Sequence, residues 1–186
     1  MQLRAVLFDL GDVIMQEESE EKVDDVTQRA ELHPGMGDLV RRLHGRGLPL
    51  GVVADTRDGT YRNVLNQHGL VGCFDVFAIS DQLGVVKPDR RMFVHALDGL
   101  GVPEAAWGDV AMVGNNLARD VRGANALGLI SIWLVWNQRY PTSPADAAEE
   151  PRYQVSTAAD LDALLTALRD GDDAAAFTYP RPFPWL

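Results

Sequence analysis

The chain has 186 residues, 46% of them apolar and 8% aromatic, and carries a formal net charge of −10. That length suits one domain with a real core, and the negative field disfavours nucleic acid and anionic membranes as partners. No apolar run approaches the roughly 20 residues of a membrane span, and one cysteine, Cys73, excludes an internal disulfide or a cysteine metal cluster. A cytoplasmic protein without a secretory leader is expected.

Residues 5–8 are Ala-Val-Leu-Phe and run straight into Asp9-Leu-Gly-Asp. A buried strand of this kind delivers a carboxylate to the open end of a sheet, where Asp9 serves as nucleophile, metal ligand or both. Six acids and one lysine then crowd into residues 17–25, either a solvated loop or helix face or an acidic lip that rejects polyanionic substrates. Met36, Leu39, Val40 and Leu43 share one face of a predicted helix, with Gly45 and Gly47 as stop signals. A strand at 50–54 leads to Asp55, Thr56 and Arg57, and Tyr61, Val64 and Leu65 mark the next helix. A strand at 76–79 leads to Ser80 and Asp81. The chain writes its positive charge as fifteen arginines and only two lysines, Lys22 and Lys87, so a lysine at 87 is a hint of function.

Pro88 and Asp89 suit a helix N-terminus ahead of Met92, Phe93, Ala96, Leu97 and Leu100. A strand at 110–113 precedes Gly114-Asn115-Asn116, and Leu117, Val121, Ala124 and Leu127 share a helix face. A strand at 130–135 ends near Trp136 to Gln138, and Thr157 caps a last helix containing Leu161, Leu164, Leu165 and Leu168. Strands alternating with helices predict an α/β fold, a Rossmann-like doubly wound parallel sheet with helices on both faces. Ligands in such folds sit beyond the carboxyl ends of the strands, which is where Asp9, Asp55, Asn115 and their neighbours gather. Residues 1–170 read as one core domain. In the tail, 171–186, Phe177, Tyr179, Phe183 and Trp185 alternate with prolines. Such a tail either packs on its own domain or closes a homo-oligomer or a neighbouring site.

Four elements in order resemble the haloacid dehalogenase (HAD) superfamily: Val6-Leu-Phe-Asp-Leu-Gly-Asp; Leu50-Gly-Val-Val-Ala-Asp-Thr; Gly84-Val-Val-Lys-Pro-Asp; and Met112-Val-Gly-Asn-Asn-Leu-Ala-Arg-Asp. The resemblance covers roughly residues 1–168. It implies a HAD-like core with Asp9 at the end of the central strand. It further implies a phosphatase in which Asp9 forms an aspartyl-phosphate that water hydrolyses. Magnesium would be held by Asp9, the Gly11 carbonyl, Asn115 and Asp120, while Lys87 neutralises nucleophile and phosphoryl oxygens. The substrate would be a small phosphate ester, met by Asp55, Thr56 and Asn116.

The sequence departs from that pattern in four places. Gly11 stands where a second aspartate normally supplies general acid–base help, worth about 10² to 10⁴ in rate. Asp12 is the nearest acid, and a preference for good leaving groups follows. Ala54 lacks the usual hydroxyl, and Asn115 replaces an aspartate. Residues 15–33 make a short acidic flap, too short for a cap domain, which argues against dehalogenation in a dry pocket. The competing reading is a catalytically impaired HAD-like domain that serves as a binding or interaction protein. A metal-free dehalogenase using Asp9 on carbon is a third. The histidines show no metal-ligand spacing. Trp133 and Trp136 are expected in packing, and Arg57 and Arg119 are candidates to meet an anion.

Overall fold

The computed structural model describes residues 3–183. Its first strand, β1 (Ala5–Phe8), is followed by a 3-10 turn at Glu17–Ser19 and a hairpin of β2 (Glu21–Val23) and β3 (Val26–Arg29). Next come α1 (Met36–Gly45), β4 (Leu50–Ala54), α2 (Asp58–Gln67), β5 (Val76–Ile79), the one-turn α3 (Ser80–Leu83) and α4 (Arg90–Gly99). β6 (Val110–Gly114) leads through a π-helical turn, Leu117–Val121, into α5 (Arg122–Ala126). β7 (Ile130–Leu134), β8 (Tyr153–Val155) and α6 (Ala158–Asp170) follow.

Six strands form one parallel sheet in the order β5-β4-β1-β6-β7-β8. β1 is therefore the point where the strand order reverses, and the crevice beyond its carboxyl end is the favoured ligand site of such sheets. Burial on both faces explains why the strands read as unbroken apolar runs. Their side chains still alternate: Val6 and Phe8 join the core beneath α1, α2 and α6, and Ala5 and Leu7 join the one beneath α4 and α5. Asp89 and Thr157 cap α4 and α6 by accepting N–H bonds from Arg91 and Asp160. No helix among the described residues is long and apolar enough to cross a membrane.

Two pieces escape the sequence pattern. The acidic segment is neither a plain loop nor a helix but the 3-10 turn plus the hairpin. β2 is exposed along its length, so it shows no alternation. Asp24 and Asp25 make the turn with φ of 49° and 62°, the left-handed geometry that tight hairpins need. Thr27 N–H donates to Thr60 Oγ1 at 3.0 Å, which fastens the hairpin to α2.

β8 is a three-residue edge strand. The tail covers it: Thr178 bridges to Tyr153, and Gln154 exchanges two hydrogen bonds with the backbone of Arg181, at 3.0 and 3.2 Å. That pairing blunts an otherwise open edge. Tyr179 and Phe183 meet Trp133 edge-on at 6.2 and 6.0 Å, so the described part of the tail packs on its own domain. Trp185 lies outside the described residues.

Candidate active site

The last ladder bond of β1 runs from Asp9 N–H to Val113 O at 2.9 Å, which fixes Asp9 at the sheet edge. Its Oδ1 accepts the Leu10 N–H at 2.8 Å and lies 2.6 Å from Lys87 Nζ. The same ammonium lies 2.7 Å from Asp120 Oδ1, and the Lys87 and Asp120 side chains are 2% and 1% exposed. Burial pushes the Asp9 carboxyl up to about 6, against the pull of Lys87 and helped by the neighbouring Asp120 charge. Burial works to neutralise Lys87 as well, but Asp120, Asp9 and Asp55 outweigh it and hold the ammonium far above its usual range. Lys87 is thus a permanent cation between two carboxylates.

Local chain geometry brings these groups together. Asp120 rides on the π-helical turn, a rare local winding frequently found at functional sites. Its Oδ2 accepts the Asn116 N–H at 3.0 Å, and Asn116 Oδ1 caps the turn by accepting Arg119 N–H at 3.2 Å. A Cβ at Gly114 would collide with the Asp120 side chain, so the close approach of that carboxylate to the end of β6 requires glycine. Asp55 accepts the Lys87 backbone N–H at 2.9 Å and pairs with Arg119 at 3.5 Å, tying the end of β4 to the lysine loop.

An open cavity of about 250 Å³ lies over this triad. Asp9, Gly11, Asp55, Thr56, Lys87 and Asn116 line it, while Asn115 and Asp120 are buried behind them. Arg119 reaches the cavity; Arg57 turns away to Asp81 at 3.1 Å. Ala54 is on the wall and offers no hydroxyl. Sequence reasoning did not single out Glu17, Glu20, Lys22 and Tyr140, which also line the cavity. The acidic run gave a signal for the first three, read there only as a solvated or repelling surface. Tyr140 comes from the irregular segment after β7, where no periodicity points to it.

Asp12 is not brought to the cavity. With φ at 48° it turns into the protein and is 1% exposed. Its Oδ1 accepts the Glu17 N–H at 3.0 Å and lies 3.8 Å from His33 Nε2, and its Oδ2 takes Arg139 Nε at 2.8 Å and Asn137 Nδ2 at 3.2 Å. Trp136 stacks on His33 at 4.2 Å and donates its indole N–H to the Asp12 carbonyl at 2.8 Å. Burial opposes ionisation of Asp12, but the nearby His33 ring, the bonds from Glu17 N–H and Asn137, and the Arg139 charge win and hold its carboxyl below the usual range. Its contribution to stability is therefore present above the ordinary carboxylate range and lost as pH falls through its lowered value. Asp12→Ala is expected to cost roughly 2–3 kcal/mol in urea unfolding at pH 7 by orphaning these donors, and the deficit should shrink in acid.

The acids alone do not make a metal centre: among the described residues no three His, Cys, Asp or Glu side chains converge to hold an ion. The donor types suit magnesium, a hard cation, once two neutral oxygens join those of Asp9 and Asp120. The Asn115 amide is buried with its nitrogen unpartnered. Rotating that amide places its oxygen there, a free hard donor. The Gly11 carbonyl is the other.

The haloacid dehalogenase-like hydrolase family model matches residues 4–128. Pyrimidine 5'-nucleotidase YjjG of Escherichia coli is 30% identical over 132 residues, 71% of this chain and 56% of that protein. Phosphoserine phosphatase of Thermus thermophilus is 36% identical over 108 residues, 58% of this chain and 42% of that one. An (S)-2-haloacid dehalogenase of Pseudomonas putida is 26% identical over 132 residues. This chain spans about half the length of these curated relatives. Among solved structures, a HAD phosphatase from Thermococcus onnurineus superposes with a TM-score of 0.71 at 21% identity, covering 90% of this chain and all of that one.

Proposed function

The chain belongs to the haloacid dehalogenase-like hydrolase family, and from that premise we propose that it hydrolyses small phosphate monoesters through a phosphorylated Asp9. The observation that carries the reading is Lys87 Nζ within 2.6 Å of Asp9 and 2.7 Å of Asp120 beneath an open polar cavity. With its carboxyl near 6, Asp9 is ionised at neutral pH and free to attack phosphorus. Lys87 offsets charge on the phosphoryl oxygens, and Asp120 holds the lysine in place. Ala54 leaves Thr56, Asn116 and Arg119 to position the rest of the phosphate. A magnesium ion on Asp9, Asp120, the Asn115 amide and the Gly11 carbonyl would add positive charge at the transferring group.

The test is acid quenching during turnover of p-nitrophenyl phosphate with magnesium, followed by mass analysis. One phosphoryl group is expected on the peptide carrying Asp9 in the wild type and none in Asp9→Asn. Phosphate release that survives in Asp9→Asn would overturn the mechanism. Gly11, Ala54 and Asn115 favour a second reading, a domain that binds a phosphorylated ligand without turning it over. It predicts a rise in melting temperature with inorganic phosphate and no hydrolysis of any ester tried.

A further inference from the structure

We propose that Glu17 is the proton donor to the leaving group, standing in space for the side chain that Gly11 lacks. This rests on the phosphomonoesterase reading of Asp9. Expelling an alkoxide from phosphorus needs a proton at the departing oxygen, and Asp9 cannot give it while it attacks. Lys87 is locked between two carboxylates, and Asp12 faces the interior. Asp55 is occupied by the Lys87 N–H and Arg119. Glu20 takes the Thr27 hydroxyl on one oxygen and Lys22, at 2.8 Å, on the other. Tyr140 holds its proton more tightly than usual, through burial beside Glu17 and Asp9, which suits it poorly to giving and retaking a proton near neutral pH.

Glu17 remains, and its position is specific. A Cβ built on Gly11 would collide with Glu17 Oε1 and stand 3.0 Å from its Cδ and 3.1 Å from its Cγ. The Glu17 carboxyl therefore fills the space where a side chain two residues past Asp9 would begin, on the wall of the same cavity. Its two oxygens have different surroundings. Oε2 is held by the Arg139 guanidinium, whereas Oε1 is the one over Gly11. Asp12 accepts the Glu17 N–H and also grips Arg139, so both are positioning residues for this carboxyl.

The step balances. As the Asp9 oxygen bonds to phosphorus and the ester P–O bond breaks, the Glu17 acid passes its proton to the leaving oxygen. The Glu17 carboxylate then takes a proton from the water that attacks phosphorus. The Asp9–phosphorus bond breaks, inorganic phosphate departs, and both side chains return to their starting forms.

The experiment compares kcat/KM for p-nitrophenyl phosphate and ethyl phosphate, because this ratio reports the steps up to phosphorylation of Asp9. Glu17→Gln should lose about 10²-fold or more on ethyl phosphate and about 3-fold or less on the aryl ester, whose leaving group needs no proton. Glu17→Ala vacates the space that a Gly11 side chain would enter, so adding Gly11→Asp to Glu17→Ala should restore ethyl phosphate turnover. Gly11→Asp alone should bring no gain, since two carboxyls then compete for one space. An equal loss on both esters would make Glu17 merely the brace for Arg139 and overturn the inference. So would no loss, or a wild type that cleaves the aryl ester and not the alkyl one. Activity that persists in Asp9→Asn would instead overturn the phosphoenzyme reading, a separate failure.

Discussion

Lys87→Met is expected to remove most of the activity and a large part of the fold's stability together. Methionine matches the length of the lysine stem but leaves Asp9 and Asp120, now 2.6 and 2.7 Å from one ammonium, without a cation between them. Removing one partner of a buried ion pair costs about 3–5 kcal/mol, because the remaining charge is left uncompensated. The sign with pH follows from the groups left behind. Without the Lys87 charge that opposes burial, the Asp9 carboxyl rises further, so the variant gains stability as pH falls and Asp9 takes a proton. Lys87 itself stays charged throughout this range, and its pull on Asp9 keeps the corresponding change in the wild type smaller than in the variant. Urea unfolding should show the largest deficit near pH 7.5 and a smaller one near pH 5. Turnover of p-nitrophenyl phosphate should fall by at least about 10²–10³-fold, the scale for losing one fixed charge at developing oxyanions. Arginine should not rescue it, since a planar guanidinium cannot occupy a space shaped for a compact ammonium.

How much of this was legible in the sequence depends on how local the cause is. β1 and the four strands β4 to β7 are almost wholly buried on both faces, so their apolar runs announce them, and the residue after each run is placed by the fold itself. Asp9, Asp55 and Asn116 reach the cavity for that reason, whereas Lys87 lies in the loop between α3 and α4 and stood out as one of two lysines and by its Lys-Pro-Asp sequence. Asp120 was legible through its spacing from Asn116, although the π winding that turns it inward was not. The hairpin was hidden because β2 buries nothing, and β8 because three residues are too short to show a pattern and its edge is covered by chain 25 positions later. Asp12 and Glu17 occupy the reverse of the positions that proximity in sequence suggests. Asp12 stands closest to the missing acid but its left-handed backbone turns it inward, while Glu17, six residues from Gly11, folds back over it. No pattern in one strand of sequence carries that return, since it depends on Arg139 arriving from the irregular segment after β7.

Asp9→Asn should separate the demands of chemistry from those of folding. Losing the proposed nucleophile is expected to reduce turnover by on the order of 10⁴-fold or more. The same change should raise the melting temperature in metal-free buffer at pH 7.5. The Asp9 carboxyl is pushed up to about 6, chiefly by burial. A raised carboxyl in the fold contributes stability at low pH that is lost as pH rises through 6, so ionised Asp9 is a cost at neutral pH. Oδ1 is the atom that meets both Leu10 N–H and Lys87, and the amide oxygen of asparagine can keep both contacts without the charge. A gain of about 2–4 °C is expected, the shift that roughly 1 kcal/mol gives a domain of this size. It should vanish below about pH 5, where the wild type carries a neutral Asp9 as well. Magnesium should reverse the order, because an ion that binds the folded wild type through the Asp9 charge stabilises it by mass action and gains little from an amide. A variant less stable than wild type at every pH would show instead that Asp9, and not Asp120 alone, is needed to hold Lys87 in the fold.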